Sequence, residues 1–445
     1  MAKLSETGLK FCKDRRGNIA VIFALSAIPI ISFVGAAIDY TRATAARSSM
    51  QAALDSTALM LSKDLSTGTI SSSQISTKAT AYFNALYNNK DAFNVAITAA
   101  YTAATGANAN KIELAGTGVI TADFMRIAGF PTLNFGTAST TTWGNVRMRV
   151  SLVLDNTGSM ARDGKMPAMQ SSAKDLVDQL SKLAIVNGDI YISIVPFAKD
   201  VNMGASNYNA SWIDWTDWDA ANGTCSSTSY RTQSSCESRG KTWTPKNHNT
   251  WTGCLTDRDQ NYDTLNTTPT AANSSTLFPS EQYSYCASGS SPYLETVMPL
   301  SYDWASLKSK IDAMEPTGNT NQGIGLAWGW QTLSAGAPFN APAKEAGYLY
   351  KDAIVLLSDG LNTQNRWYSN ANQIDARQKI LCDNAKAAKI TLYTIQVNTG
   401  GDPTSSVLQY CASGANNFYL VTSASQTASV FKDIATKLSQ LRVSK

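Results

Sequence analysis

At 445 residues, 43% of them hydrophobic, the chain can fill two or three cores, which excludes disorder as its ground state. A net charge of +4 with no long Lys/Arg block excludes nucleic acid as a partner, because too few cations are gathered to neutralise a phosphate backbone. The single histidine, His248 in the polar run Pro245-Lys246-Asn247-His248-Asn249, excludes His-based zinc sites and Ser-His-Asp chemistry, and it reads as a surface loop residue.

Residues 1–18 form a short N-terminus carrying Lys10, Lys13, Arg15 and Arg16. They precede the uncharged run IAVIFALSAIPIISFVGAAI, residues 19–38, which matches the roughly 20 residues needed to cross a bilayer core. The basic cluster on its N-terminal side predicts a cytoplasmic N-terminus and an exported remainder. Gly35-Ala36-Ala37 has the small residues of a signal-peptidase site, yet the run exceeds a signal core of about 7 to 15 residues and predicts an uncleaved anchor. Cys12 lies before the run, and Cys225, Cys236, Cys254, Cys286, Cys382 and Cys411 all follow it. An even set on the exported side predicts three disulfides in an oxidising compartment, with Cys382 and Cys411 as a late pair and the connectivity of the other four left open.

Beyond Asp39 the apolar positions Ala43, Ala46, Met50, Ala53, Leu54, Ala58, Leu61 and Leu65 recur at helical spacing, so one helix is expected to leave the bilayer and pack on a globular portion. Helix-then-globule is the arrangement of pilin-like proteins. The segment from Arg15-Arg16-Gly17-Asn18-Ile19 to Gly35-Ala36-Ala37-Ile38-Asp39-Tyr40 resembles the N-terminal region of TadE/TadG-like proteins of tight-adherence (Flp) pilus assembly. Processed pilins of this kind carry glutamate where Ile22 stands, so the resemblance implies a membrane-retained TadG type rather than a polymerising subunit.

Residues 39–145 complete a pilin-like helix and small α+β unit. Its predicted elements are a helix over 73–87, strands over 93–101 and 111–121, a short helix over 122–128 and a strand over 132–141. Residues 146–442 alternate strands and helices as a doubly wound α/β sheet does. Strands are expected over 149–154, 190–197, 353–358, 390–397 and 418–421, with helices over 166–186, 304–314, 322–333, 370–388 and 425–441. A Ser/Thr/Asn/Trp-rich stretch over about 199–301, holding four of the cysteines, reads as a disulfide-rich insertion that ends in an edge strand around 294–300. Within it Trp212, Trp215 and Trp218 recur every third residue. They suit either a surface for a partner or polysaccharide or, more commonly, the core of the insertion. Asp257, Arg258 and Asp259 read as a solvated turn.

The chemistry concentrates where two buried strands end. Asp155, Thr157 and Ser159 lie in Leu154-Asp155-Asn156-Thr157-Gly158-Ser159, Thr320 in Gly318-Asn319-Thr320-Asn321, and Asp359 follows Ala353-Ile354-Val355-Leu356-Leu357-Ser358. Carboxylates and hydroxyls suit a hard divalent cation, and ligands of doubly wound sheets bind at the carboxyl ends of strands. This set resembles the metal-ion-dependent adhesion site of a von Willebrand factor type A domain. The resemblance implies Mg2+ (or Ca2+ or Mn2+) held by these five residues, with an open position for an acidic side chain of a partner.

Three rival readings accompany it. The aspartates could cap the helices that follow them. Asp155 and Asp359 also imitate a phosphoaspartate phosphotransferase, but Asn156 and Ser358 replace its lysine and first glycine. A secreted or surface adhesin is the alternative if the anchor is cleaved. Taken together, the sequence predicts a non-enzymatic pilus-assembly or anchoring protein of the bacterial inner membrane, single-pass and with a periplasmic C-terminal portion. It would grip other pilus-assembly proteins or pilin subunits. Because the site is expected on a solvent-facing rim, Asp155→Ala is expected to abolish capture and spare the fold.

Overall fold

A computed structural model describes residues 18–66, 69–104, 109–143, 146–184, 186–346 and 348–443. Cys12, Gly17 and the basic cluster of residues 10–16 lie outside the described residues. The chain divides into two compact units that part after Trp143.

The first unit is built on α1, Asn18–Ser66. Its N-terminal stretch is long and apolar enough to cross a membrane and is almost wholly exposed on the protein. Its C-terminal half buries the predicted stripe of Ala46, Met50, Ala53, Leu54, Ala58 and Leu61, each large side chain contributing roughly 1.5–3 kcal/mol relative to exposure. The stripe packs on α2, Ile75–Leu86, and on a three-stranded antiparallel sheet of β1 (Ala92–Thr102), β2 (Asn110–Thr121) and β3 (Thr132–Trp143). Gly116 of β2 leaves the room that Met50 fills: a Cβ there would stand 2.7 Å from the Met50 sulfur. The short helix expected over 122–128 is a 3-10 turn, Met125–Ala128. The backbone N–H groups of Asp123, Phe124 and Met125 donate instead to the Asp39 carboxylate of α1, and Ala122 N–H closes onto Pro131.

The second unit is a six-stranded sheet flanked on both faces by helices. Its elements in chain order are β4 (Val146–Asp155), α3 (Lys165–Ser181), β5 (Ile190–Phe197), β6 (Met298–Ser301), α4 (Trp304–Asp312), α5 (Gln322–Thr332), β7 (Leu349–Ser358), α6 (Ala371–Ala387), β8 (Thr391–Val397), α7 (Ser406–Cys411), β9 (Phe418–Val421) and α8 (Thr427–Val443). The strand order is β6-β5-β4-β7-β8-β9, parallel except for the antiparallel edge strand β6. Met148, Val150, Leu152 and Leu154 of β4 face one core with residues of α3, α4 and α8. Val153 faces the other, with residues of α5, α6 and α7. This two-sided burial is why the strand reads as a nearly unbroken apolar run. Arg149 and Asp352 lie opposite each other in the β4–β7 register and form a bidentate pair, 2.8 and 2.7 Å, at the end of the strands away from Asp155.

Glycine sets how closely α5 approaches the sheet. A Cβ on Gly329 would stand 2.5 Å from Val153 and one on Gly325 2.6 Å from Phe197. The edge strand begins later than expected, because residues 294–297 are held by the insertion. There Leu294 N–H donates to Tyr285 at 2.7 Å and Val297 N–H to Asn202 at 2.9 Å.

Disulfides join Cys225 to Cys236, Cys254 to Cys286 and Cys382 to Cys411. The last ties α6 to α7, as the late pair was expected to do, and the other two lie in the insertion. The tryptophan triplet belongs to the insertion's core: Trp218 is 2% exposed, while Trp212 and Trp215 are half-buried against the same cluster. Trp215 stacks on His248 with centroids 3.9 Å apart. That histidine is therefore no free surface residue; its Nε2 also meets Asp219 at 2.8 Å. Nor is the segment from Asp257 a solvated turn. Arg258 is buried and donates to the carbonyls of Leu265, Thr267 and Thr276.

Candidate metal centre

Chain direction explains where the site lies. From β4 the chain moves outward through β5 to β6, then returns to β7 on the other side of β4. The reversal opens a crevice at the carboxyl ends of β4 and β7, the place where doubly wound sheets bind ligands. Asp155 ends β4 and Asp359 follows β7, so two carboxylates far apart in sequence meet there.

Asp155 is fully buried. Its Oδ1 accepts from Thr157 N–H at 2.8 Å and its Oδ2 from the Ser358 hydroxyl at 2.6 Å. The Asp359 Oδ1 accepts from Ser159 Oγ at 2.7 Å, and Thr157 Oγ1 lies 3.0 Å from Ser159 Oγ. The Asp359 carboxylate thus serves the Asp155 loop and caps no helix of its own; the cap of α6 is Asn370. Thr320 arrives on a loop laced to the first, with Gly158 N–H donating to Gly318 O at 3.1 Å and Thr317 N–H to Asn156 O at 2.6 Å. Thr363 braces it from the β7 side, accepting from Thr320 N–H at 2.8 Å. The structure gives no hydrogen bond between the Thr320 hydroxyl and the other four residues.

The expectation of a solvent-facing rim needs correction. Asp155, Thr157, Thr320 and Asp359 are buried, and only Ser159 among the five is exposed. The carboxylates form a floor, and Gly158, Ser159, Gly318, Asn319 and Thr363 form the exposed edge above it. Removing Asp155 would strip two buried donors of their acceptor, at about 1–3 kcal/mol each. Asp155→Ala is therefore not neutral for the fold.

Two contributors were not legible in the sequence as site residues. Ser358 holds Asp155, and Lys165, the first residue of α3, places its buried Nζ 2.7 Å from Asp359 Oδ2. Gly164, at φ +70°, takes the left-handed turn that starts α3 at this point. A lysine ten positions beyond Asp155 carries no linear signal; only the turn before α3 brings it back over the site.

Burial, and then the negative charge of Asp359, push Asp155 up to about 7. Burial likewise raises Asp257 to about 6, and burial followed by the charge of Glu281 raises Asp200. In each case the folded chain keeps a proton that the unfolded chain releases in the ordinary carboxylate range. For Asp257 and Asp155 that contribution to stability is complete at acid pH and is lost as pH rises through about 6 and about 7. A cation at Asp155 opposes that loss. The rise in Tm produced by millimolar Mg2+ over chelator is therefore expected to grow between about pH 5 and about pH 7.5. A rise independent of pH would count against Asp155 as the group relieved.

Among the described residues no group of three or more His, Cys, Asp or Glu side chains could hold a metal. The set here is two carboxylates with three hydroxyls, all oxygen, which fits a hard cation that keeps part of its water shell.

Residues 17–60 match the family model of Flp pilus-assembly TadE/G-like proteins. Comparison with curated proteins gives no match. Among solved structures, the chain is similar to the vWF domain of the type V pili tip protein Mfa5 from Porphyromonas gingivalis, at 11% identity and a TM-score of 0.37, covering 67% of this chain and 96% of that one. It is also similar to proximal thread matrix protein 1 from the mussel byssus, in a form with a zinc-occupied MIDAS motif, at 15% identity and a TM-score of 0.33, covering 66% and 46%. A third is the pilus adhesin SpaC from Lactobacillus rhamnosus GG, at 10% identity and a TM-score of 0.39, covering 80% and 36%. The chain thus spans less than half the length of the latter two.

Proposed function

We propose that this chain, which carries a TadE/G-like Flp pilus-assembly segment over residues 17–60, is a membrane-anchored pilus-assembly or anchoring protein that binds another pilus component through a divalent cation. In this reading α1 crosses the bacterial inner membrane once and the C-terminal portion is periplasmic, where three disulfides are stable. The chain is a binding and scaffolding protein and not an enzyme.

The observation that carries the reading is the meeting of Asp155 and Asp359, with the Thr157 and Ser159 hydroxyls, in the crevice between β4 and β7. Thr320 would complete the set. The Thr157 and Ser159 hydroxyls lie 3.0 Å apart, and oxygen donors of this kind suit a hard divalent cation, Mg2+, Ca2+ or Mn2+. A cation bound here would supply a Lewis-acid point with a position left for a partner's carboxylate. The chain's own part is to hold the oxygens. Thr157 N–H and Ser358 aim Asp155, Lys165 shares Asp359, and the exposed edge at Gly158, Ser159, Gly318 and Asn319 admits an acidic side chain of a pilin subunit or another assembly protein.

The test is copurification of pilus-assembly components with the full chain from solubilised membranes. Capture in Mg2+, with release by chelation, is the expected outcome. Equal capture in Mg2+ and in chelator would remove the cation from the mechanism.

A further inference from the structure

We propose that the turn over residues 124–131 is a second membrane contact, docking into the headgroup region of the bilayer beside α1; the inference rests on α1 being a membrane anchor. Within the first unit, this turn is clamped to α1 where its apolar stretch ends. Asp39, fully buried, accepts three successive backbone N–H groups, from Asp123 at 3.0 Å, Phe124 at 2.9 Å and Met125 at 2.7 Å. One turn earlier on the helix, Gly35 leaves space for the Phe124 side chain, since a Cβ there would stand 2.5 Å from it. Arg42 ties the following turn of the helix to Asp123 at 2.7 Å.

The clamp fixes the height of the turn. Residues 35 to 39 of an α-helix span about 6 Å along its axis, and the uncharged run of α1 ends at Ile38. The turn therefore lies at the level where a bilayer spanned by that run has its interface. What the turn exposes there is apolar: Ile127 is 86% exposed and Phe130 58%. Single exposed apolar residues are common on soluble surfaces. Arg126, also exposed, immediately precedes Ile127 on the same short turn held against an apolar helix, and an aromatic and an aliphatic side chain beside a cation suit a phospholipid interface. The three-hydrogen-bond clamp gives the chain a rigid foot, which would fix how the first unit stands on the membrane.

The test places an environment-sensitive, thiol-reactive dye on the full chain in a Cys12→Ser background, at Ile127→Cys, at Phe130→Cys, or at Ser73→Cys as a control. Ser73 is exposed and lies just beyond the far end of α1. The labelled proteins are reconstituted into vesicles of phosphatidylethanolamine and phosphatidylglycerol containing a lipid-borne quencher and are recovered by flotation. Quenching several-fold greater at 127 and 130 than at 73 is expected. Equal quenching at all three positions in floated vesicles overturns the docking inference and leaves the anchor intact. Failure of the chain to float overturns the anchor and the docking inference together.

Discussion

Asp155→Asn is expected to abolish divalent-cation uptake while leaving the metal-free protein at least as stable as the parent. The reason is a conflict visible in the site. A buried carboxylate close to Asp359 is held up to about 7, so near neutral pH the metal-free fold bears the cost of ionising it. Asparagine removes that cost and keeps the Thr157 N–H bond through its oxygen, while the Ser358 bond, in which the hydroxyl donates to Asp155, reverses so that the amide donates to Ser358 Oγ. It also removes a charged oxygen donor to a hard cation. Mg2+ affinity by titration calorimetry should fall by about 100-fold or more, with Tm in chelator unchanged or higher. Retention of parental Mg2+ uptake by the variant would show that Asp155 is not a ligand. Asp155→Ala is the weaker test, because it leaves two buried donors unpaired and mixes a folding defect with the loss of the ligand.

Lys165→Met has the opposite sign. With both carboxylates ionised, the ammonium at 2.7 Å from Asp359 leaves the site one formal negative charge instead of two. A tethered cation competes with an added one for the same oxygens. Replacing it with an apolar side chain of similar length keeps the packing at the start of α3 and returns the missing charge. Mg2+ affinity should rise by on the order of tenfold or more. The metal-free protein should lose stability, because two facing buried carboxylates then lack any cation. The signature is a widened gap between Tm in Mg2+ and Tm in chelator. An unchanged affinity with an unchanged gap would mean that Lys165 swings clear when the cation arrives and only props the empty site.

Both expectations use residues whose roles were unequally visible. Asp155, Thr157, Ser159 and Asp359 could be nominated from sequence because each follows a strand whose apolar run is unmistakable, and strand ends are where side chains leave the core. Thr320 could be nominated only through its glycine-flanked turn and the resemblance. Its placement depends on the Asn156, Gly158 and Thr317 backbone contacts that lace two loops together. The tryptophan triplet suited either a surface or a core, since a spacing of three states the period and not which side is covered. The rings of Trp215 and His248, which meet Trp218, and the shared burial of Trp218 with Trp251 and Phe278 decided it.

Local chemistry in the chain determined the long helix, the two-sided burial of the sheet strands, the late disulfide and which carboxylates and hydroxyls stand at the strand ends. Each of these follows from short-range pattern: periodicity, apolar runs and residue type. Tertiary structure alone decided that Asp155 is buried, that Ser358 and Lys165 belong with it, and that Asp39 holds the turn at the end of the apolar helix. Those contacts join residues between 84 and 203 positions apart, Lys165 reaching Asp359 across 194. Their energies depend on desolvation and charge, which exist only once the crossover through β5 and β6 has returned β7 to the side of β4.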